Sequence, residues 1–179
     1  ARGIDQILPH PGDPRRYEDY VHDARDYVAL AERHCGPIER PVDFAYVCGD
    51  ALAELQRRQP QVRLVNLETA VTRHGRPEPK GINYRMTPEN FPFLRAAGIN
   101  CCILANNHVL DWGETGLRDT LETLTAHDMP HTGAGLARNS AETPAVLALP
   151  GGRRLLVLAF GLPGSGAAFG RYRSRARSN

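Results

Sequence analysis

Several common signatures of catalytic and cofactor sites are missing from this chain of 179 residues. There is no G-x-x-x-x-G-K-[ST] phosphate loop, no H-E-x-x-H zinc helix and no G-x-S-x-G nucleophile elbow, so the sequence excludes these three routes to chemistry. No apolar run approaches the roughly 20 residues that a membrane helix needs. The longest such run is 155–160, which has the length of a buried strand. We therefore expect no membrane segment in this chain.

Cysteine is scarce, and the chain contains no C-x-x-C pair; the four cysteines are Cys35, Cys48, Cys101 and Cys102. Neighbouring side chains on a strand point to opposite faces, so Cys101 and Cys102 make a poor disulfide or joint metal site. We expect all four cysteines to be reduced and mostly buried, which suits a cytoplasmic protein.

Basic charge is concentrated at the C-terminal end. The formal net charge is +2, and residues 171–179 hold Arg171, Arg173, Arg175 and Arg177, so the rest of the chain is mildly acidic. A run of this kind can bind phosphate backbones or acidic lipid, or it can be a solvated terminus. We predict a folded domain over residues 1–170 and a disordered basic tail over 171–179, and we expect no nucleic-acid partner.

Hydrophobic periodicity predicts helices that alternate with apolar strands. The predicted helices cover 14–35, 43–59, 87–98 and 113–127, and the predicted strands cover 62–67, 100–105, 145–149 and 155–160. Residues 44–47 offer an alternative, a short strand at the start of the second helix. The alternation favours an α/β layered fold with helices on the faces of a sheet.

Polar residues follow two of the predicted strands directly. These are Asn66-Leu67-Glu68 and Asn106-Asn107-His108, with Asp111 three residues further on. Ligands of α/β folds gather at the carboxyl ends of strands. An Asn oxygen can bind a divalent metal, a histidine can bind metal or move a proton, and Asp111 can orient the imidazole. The alternative is a turn in which the Asn side chains satisfy backbone groups.

Two further side chains are candidates for chemistry. Glu68, at the end of its strand, can be a metal ligand or a general base, or it can cap a helix or loop. Arg85 can bind an anionic group through two parallel hydrogen bonds, or it can form a surface salt bridge.

Four segments, taken together and in this order, resemble the poly-gamma-glutamate capsule-synthesis (CapA) family. They are VNLET at 65–69, KGINYRM at 80–86, LANNHVLDWG at 104–113 and GAG at 133–135. The opening segments 2–6 and 8–12 also look like one branch of this family, and the resemblance extends to about residue 160. The family is similar to calcineurin-like metallophosphoesterases. The resemblance therefore implies an α/β fold that is a partial four-layered α/β/β/α metallophosphoesterase-like sandwich.

The resemblance also implies roles for the candidate residues. It implies that His108 contacts a phosphate and assists the leaving group, and that one or two divalent ions (Mn, Fe, Zn or Mg) clamp the phosphoryl group and activate water. The assigned residues are, for catalysis, His108 and Asp111; for metal binding, Glu68 and Asn107; and for substrate binding, Asn66, Arg85 and Asn106.

Family members carry a Gly-Asp strand upstream of the matched region, and metallophosphoesterases have later histidines, whereas no histidine follows His131 here. The chain thus resembles the N-terminal part of the domain, shortened at both ends, and we expect this stretch alone to be inactive. The leading hypothesis is synthesis or export of an anionic capsule polymer together with other capsule-synthesis proteins. The alternatives are a metallophosphatase acting on a small phosphoester and a non-catalytic module that binds an anionic polymer.

Overall fold

Short strands and helices follow one another along the chain in the computed structural model, which describes residues 3–162. The helices are α1 (Arg25–Cys35), α2 (Ala51–Arg58), α3 (Pro92–Ala96), α4 (Gly113–Ala126) and α5 (Arg138–Glu142). The strands are β1 (Leu64–Asn66), β2 (Ala70–Val71), β3 (Arg85–Met86), β4 (Cys101–Ile103), β5 (His131–Thr132), β6 (Ala145–Ala148) and β7 (Arg154–Val157). The predicted basic tail at 171–179 lies outside the described residues.

Parallel pairing places β4 at the centre of a sheet with the order β1-β4-β5. Leu64 is paired with Cys101, and Cys102 is paired with His131. Strands β2 and β3 form a second parallel pair, and β6 and β7 form an antiparallel hairpin. Because parallel neighbours need crossover connections, the sheet requires the intervening helices.

The two faces of β4 contact two different hydrophobic clusters. Cys102 packs with Leu104, Leu117 and Leu124, which places α4 on one face. Cys101 packs with residues of β6 and β7, which places the hairpin on the other face. Both thiols are fully buried, as predicted for this pair. Burial raises the pKa of Cys102 to about 12, and the neighbouring Cys101 adds to this shift. The described chain is therefore layered as helices, parallel sheet and hairpin.

Much of the predicted α/β pattern is confirmed. Helix α4 and the hairpin of β6 and β7 lie close to their predicted positions, and β4 lies within the predicted strand. The helix predicted at 87–98 forms as a 3₁₀ turn (Pro88–Asn90) followed by α3. Within residues 3–162, no helix combines the length and apolar character needed to cross a membrane.

The predicted first helix is wrong over its N-terminal half, because α1 begins only at Arg25. Residues 14–24 form a loop instead, with bends at Asp19 and Tyr20 and an isolated antiparallel bridge between Arg15 and Asp23. The exposed fraction alternates over the first part of this loop, with Arg16 at 6%, Tyr17 at 38% and Glu18 at 1%. That alternation has the period of two that belongs to extended chain rather than to a helix.

Three smaller predictions need correction. The helix expected at 43–59 is interrupted at Gly49, whose φ of 48° and ψ of −139° are not helical, and the alternative strand at 44–47 is absent, since this region forms a 3₁₀ turn. Strand β1 is an edge strand rather than a buried one, with Leu64 43% exposed. Cys35 is exposed and Cys48 is half-buried, so only Cys101 and Cys102 fit the expected burial.

A buried carboxylate joins the N-terminal segment to the rest of the fold. Asp5 is 4% exposed and accepts hydrogen bonds from Gly12 N (2.9 Å), Thr87 N (3.0 Å), Thr87 Oγ1 (2.8 Å) and Asn90 Nδ2 (2.7 Å). Asn90 also bonds the backbone of His10 through both ends of its amide. The segment before α1 is therefore held by polar contacts as well as by apolar packing.

We expect Asp5→Ala to lower the free energy of unfolding by about 3 kcal/mol, because it leaves several buried donors without an acceptor. Urea unfolding followed by circular dichroism measures this change. Asp26→Ala, at an exposed carboxylate of α1, is the matched control and should change stability by no more than about 0.5 kcal/mol. Equal effects of the two substitutions would contradict the role assigned to Asp5.

Candidate functional site

The carboxyl ends of β1 and β4 lie side by side, which brings both predicted polar clusters together. Asn106 Nδ2 donates to Asn66 Oδ1 at 3.0 Å and to the carbonyl of Leu67 at 3.1 Å. Asn66 Nδ2 in turn donates to Glu68 Oε1 at 2.7 Å. Asn66 and Glu68 are exposed, whereas Asn106 is buried. The hydrogen bonds of the buried Asn106 side chain thus connect the carboxyl ends of β1 and β4.

His108 is fixed in place by the residues around it. Its backbone N–H donates to Asn106 Oδ1 at 3.0 Å, and its Nδ1 lies 2.8 Å from Asp111 Oδ2. A carboxylate can only accept a hydrogen bond, so Nδ1 carries the proton and Nε2 carries the lone pair. The amide nitrogen of Asn107 lies 3.3 Å from Nε2. The imidazole is therefore oriented with Nε2 as the nitrogen available to exchange a proton.

Asp111 is itself held by several partners. The carboxylate is fully buried, pairs with the Lys80 ammonium through Oδ1 and accepts a hydrogen bond from the backbone N–H of Tyr84 through Oδ2. Its carbonyl accepts hydrogen bonds from Asn83 Nδ2 at 3.1 Å and from Glu78 N at 2.9 Å. A buried carboxylate needs such partners because removing a charge from water is costly. Asp111 therefore connects the 78–84 segment to His108.

Tyr84 covers one side of the histidine. The two rings are stacked with centroids 4.3 Å apart and an interplanar angle of 26°. Lys80 Nζ also donates to the carbonyl of Asn107 at 2.6 Å, next to the same histidine. Stacking and the Asp111 contact together restrict rotation of the imidazole, which a proton-transfer group requires.

Arg85 does not join this network. Its guanidinium lies over the Trp112 ring, 4.0 Å from the ring centroid, and 3.7 Å from Asp13 Oδ2. In the described part of the chain it forms no hydrogen bond or ion pair with Asn66 or Asn106. Of the three residues predicted to bind substrate, Asn66 and Asn106 lie at the strand ends and Arg85 lies apart from them. Substrate contact stays a prediction for all three.

The metal assignment rests on two side chains, Glu68 and Asn107, both of which carry oxygen ligands. Across residues 3–162, no three His, Cys, Asp or Glu side chains form a group that could hold a metal ion. A catalytic zinc has three protein ligands, and a two-metal centre needs more. The described residues therefore do not fit a complete metal centre.

Sequence reasoning missed several residues that build the site. Lys80, Asn83 and Tyr84 lie in the KGINYRM segment, of which only Arg85 was assigned a role, and Trp112 follows Asp111 directly. Trp112 Nε1 donates to the carbonyl of Tyr84 at 3.0 Å and so ties the two segments together. Both segments occur in the family resemblance, which marks them as candidates but does not indicate that they meet in space.

A sequence model described as "Bacterial capsule synthesis protein PGA_cap" matches residues 1–177. The chain belongs to this family of bacterial capsule synthesis proteins. Both segments that surround His108 lie within the matched range. The site therefore lies within the region that defines membership of this family.

Similar proteins include ones from Mycobacterium tuberculosis and Sinorhizobium fredii. Probable polyglutamine synthesis accessory proteins from two strains of Mycobacterium tuberculosis are 44% identical over 158 residues, which is 88% of this chain and 42% of each relative. An uncharacterized protein of Sinorhizobium fredii is 34% identical over 106 residues, which is 56% of this chain and 23% of that protein. The chain thus spans about two fifths of the length of its mycobacterial relatives.

The orientation of His108 gives a direct spectroscopic expectation. In the neutral form, His108 should be the Nδ1–H tautomer, because Asp111 Oδ2 accepts that proton. Asp111→Asn should weaken this preference, and long-range ¹H–¹⁵N correlation spectra of the imidazoles measure the change. His131, whose Nδ1 faces the Met129 carbonyl at 3.0 Å, is an internal control whose signals should stay the same. An Nε2–H tautomer for His108 in the unmodified protein would refute the assignment.

Proposed function

We propose that this capsule synthesis protein acts on a glutamate-based capsule polymer such as poly-gamma-glutamate, and that His108 transfers a proton at an anionic group bound beside the ends of β1 and β4. The observation that carries the proposal is the 2.8 Å contact between His108 Nδ1 and Asp111 Oδ2. It fixes the tautomer and leaves Nε2 for proton transfer. The name of the mycobacterial relatives, which refers to polyglutamine synthesis, supports a polymer built from glutamate-derived units.

The proposed reaction is hydrolysis or group transfer. His108 Nε2 takes a proton from an attacking hydroxyl or water and returns it to the leaving group, so the imidazole is unchanged at the end. Asp111 stabilises the imidazolium that forms in between, and Lys80 balances the charge of the Asp111 carboxylate when the histidine is neutral. Asn66 is proposed to orient the substrate at the strand ends, and Asn106 to hold Asn66 in position for this.

The architecture is proposed to be part of a four-layered α/β/β/α sandwich. The observed order of helices, parallel sheet and hairpin supports this, as does the outer face of the hairpin. Three apolar side chains there are more than half exposed: Val146 (52%), Leu156 (59%) and Leu158 (52%). In the proposed sandwich, a further helical layer of the complete capsule synthesis protein would cover these residues.

A divalent ion is proposed at the same edge of the sheet, with Glu68 and Asn107 as two of its ligands and the others supplied from outside residues 3–162. The double variant Glu68→Gln/Asn107→Ala should then retain less metal than the unmodified protein. Loading with Mn²⁺ or Zn²⁺, dialysis and elemental analysis measure this. Glu122→Gln, at an exposed carboxylate of α4, is the control. Equal metal content in all three proteins would contradict the ligand assignment.

The His108 proposal is tested in cells. A bacterium carrying the gene with His108→Ala in place of the original should accumulate capsule polymer at a rate about 100-fold lower, since general acid–base catalysis contributes at least this factor. Polymer glutamate is measured after acid hydrolysis, and immunoblotting confirms equal protein levels. His34→Ala, at an exposed histidine of α1, should leave polymer formation unchanged. Unaltered polymer formation with His108→Ala would rule out proton transfer by this residue.

A further inference from the structure

A cavity lies beside Arg85 and Trp112, the residues that directly follow Tyr84 and Asp111 in the sequence. Tyr84 stacks on His108, whereas the next residue, Arg85, lies on Trp112. The cavity has a volume of about 280 Å³, and its wall includes Arg85, Trp112, Tyr17, Asp13, Arg15 and Arg73. Its lining contains neither His108 nor any of the strand-end asparagines. It is therefore a separate site.

Arg85 is the unusual member of this wall. Its side chain is only 13% exposed, and burial lowers its pKa. Within residues 3–162 its guanidinium makes no hydrogen bond, since the nearest carboxylate oxygen, Asp13 Oδ2, lies 3.7 Å away. Asp5 and Arg15 act on it electrostatically without a direct contact. A largely buried guanidinium ordinarily has hydrogen-bonded partners because its desolvation must be offset. These donors are therefore available to a ligand in the cavity.

The other two arginines of the wall are already engaged. Arg15 Nε donates to Asp13 Oδ2 at 2.7 Å, and Arg73 Nε donates to Glu89 Oε1 at 3.0 Å. These contacts with Arg15 hold the pKa of Asp13 below its ordinary value, so Asp13 is charged. One guanidinium with unused donors beside one fixed carboxylate suits a ligand group with a single negative charge, such as one carboxylate. A phosphate dianion would need more free cations and would be repelled by Asp13.

The rest of the wall fits a ligand that has an apolar stem. Trp112 and Tyr17 meet edge to face with centroids 5.9 Å apart. Gly75, which also lines the cavity, lies close against Trp112, since a Cβ there would be 2.3 Å from the Trp112 carbonyl oxygen. A cavity of this size accepts a small molecule or one unit of a polymer.

We propose that this cavity, the Arg85 pocket, binds a carboxylate group through paired hydrogen bonds from Arg85, with the stem of the ligand packed against Tyr17 and Trp112. The planar guanidinium matches a carboxylate in shape, and its stacking on Trp112 fixes the direction of the donors. The carboxylate can belong to a free small acid or to a unit of a chain. Binding at this pocket needs no chemistry at His108.

Trp112 is the single tryptophan of the chain, so its fluorescence reports on the pocket directly. Titration of the protein with glutarate should give a saturable change, with Kd on the order of millimolar for one charged group in a small site. Arg85→Met should weaken binding at least tenfold. Arg85→Lys keeps the charge but loses the paired geometry and should be intermediate. Arg138→Met, at a distant exposed arginine of α5, should bind glutarate like the unmodified protein.

Circular dichroism shows whether an Arg85 variant is folded. Three further binding measurements test the proposal even where such a variant is unstable. Glutaramide, the neutral analogue of glutarate, should give no saturable change. Asp13→Asn should tighten glutarate binding several-fold, because it removes the competing carboxylate. His108→Ala should leave binding unchanged, which separates this proposal from the proposed function.

The source of the carboxylate is decided by comparing glutarate with a γ-linked oligoglutamate. Tighter binding of the oligomer assigns the pocket to a chain unit, and equal binding assigns it to a free acid; both support the proposal. Phosphate binding tenfold more tightly than glutarate would overturn the carboxylate assignment. Equal responses to glutarate and glutaramide, or to glutarate in the Arg85→Met and unmodified proteins, would overturn the pocket itself.

Discussion

The buried carboxylate of Asp111 is the contact on which the organisation of the site depends. This carboxylate pairs with the Lys80 ammonium and accepts hydrogen bonds from the backbone N–H of Tyr84 and the imidazole of His108. The backbone carbonyl of Asp111 accepts a further hydrogen bond from the side chain of Asn83. These partners come from a loop and a strand end that are about 30 residues apart in sequence. Because an unpaired charge is costly in this environment, the chain satisfies it by drawing the two segments together. The positions of His108 and Tyr84 follow from that requirement.

The segments around Tyr84 and Asp111 contribute to two different environments, one at His108 and one at Arg85. Successive residues of an extended chain point to opposite sides, so Tyr84 and Arg85 face different neighbours. Tyr84 stacks on the histidine, and Arg85 stacks on the tryptophan that follows Asp111. One side is thus suited to proton exchange at an imidazole. The other side presents a cation whose donors are not used within the described residues.

Sequence reasoning located the centre of the site because its residues are close together along the chain. Asn106, His108 and Asp111 lie within six positions, and a strand end followed by polar residues is a strong local pattern. Lys80 and Asn83 were missed because their roles depend on meeting Asp111 in space. Likewise, Arg85 was expected beside the asparagines, but nothing in its local sequence indicates on which side of β3 it lies.

Secondary structure could be predicted where the hydrophobic periodicity extended over many residues, and it was missed where the elements were short. Helix α4 and the hairpin of β6 and β7 show clear periodicity and were found, whereas β2, β3 and β5 are two residues each and carry no readable period. The segment before α1 contains apolar residues at helical spacing, yet it forms a loop that buries the charged side chains of Arg16 and Glu18. Tertiary burial of charge overrode a local helical pattern there.

Gly75 shows how a residue without a side chain constrains what the chain can become. Its φ of 90° and its approach to the Trp112 carbonyl leave no room for a Cβ. Any replacement would have to displace the backbone of Trp112 and, with it, both the ring beneath Arg85 and the adjoining Asp111. A substitution at this surface loop position would therefore disturb both the Arg85 pocket and the surroundings of His108. Glycine is thus the residue that position 75 requires, and engineering of the surrounding loop has to keep it.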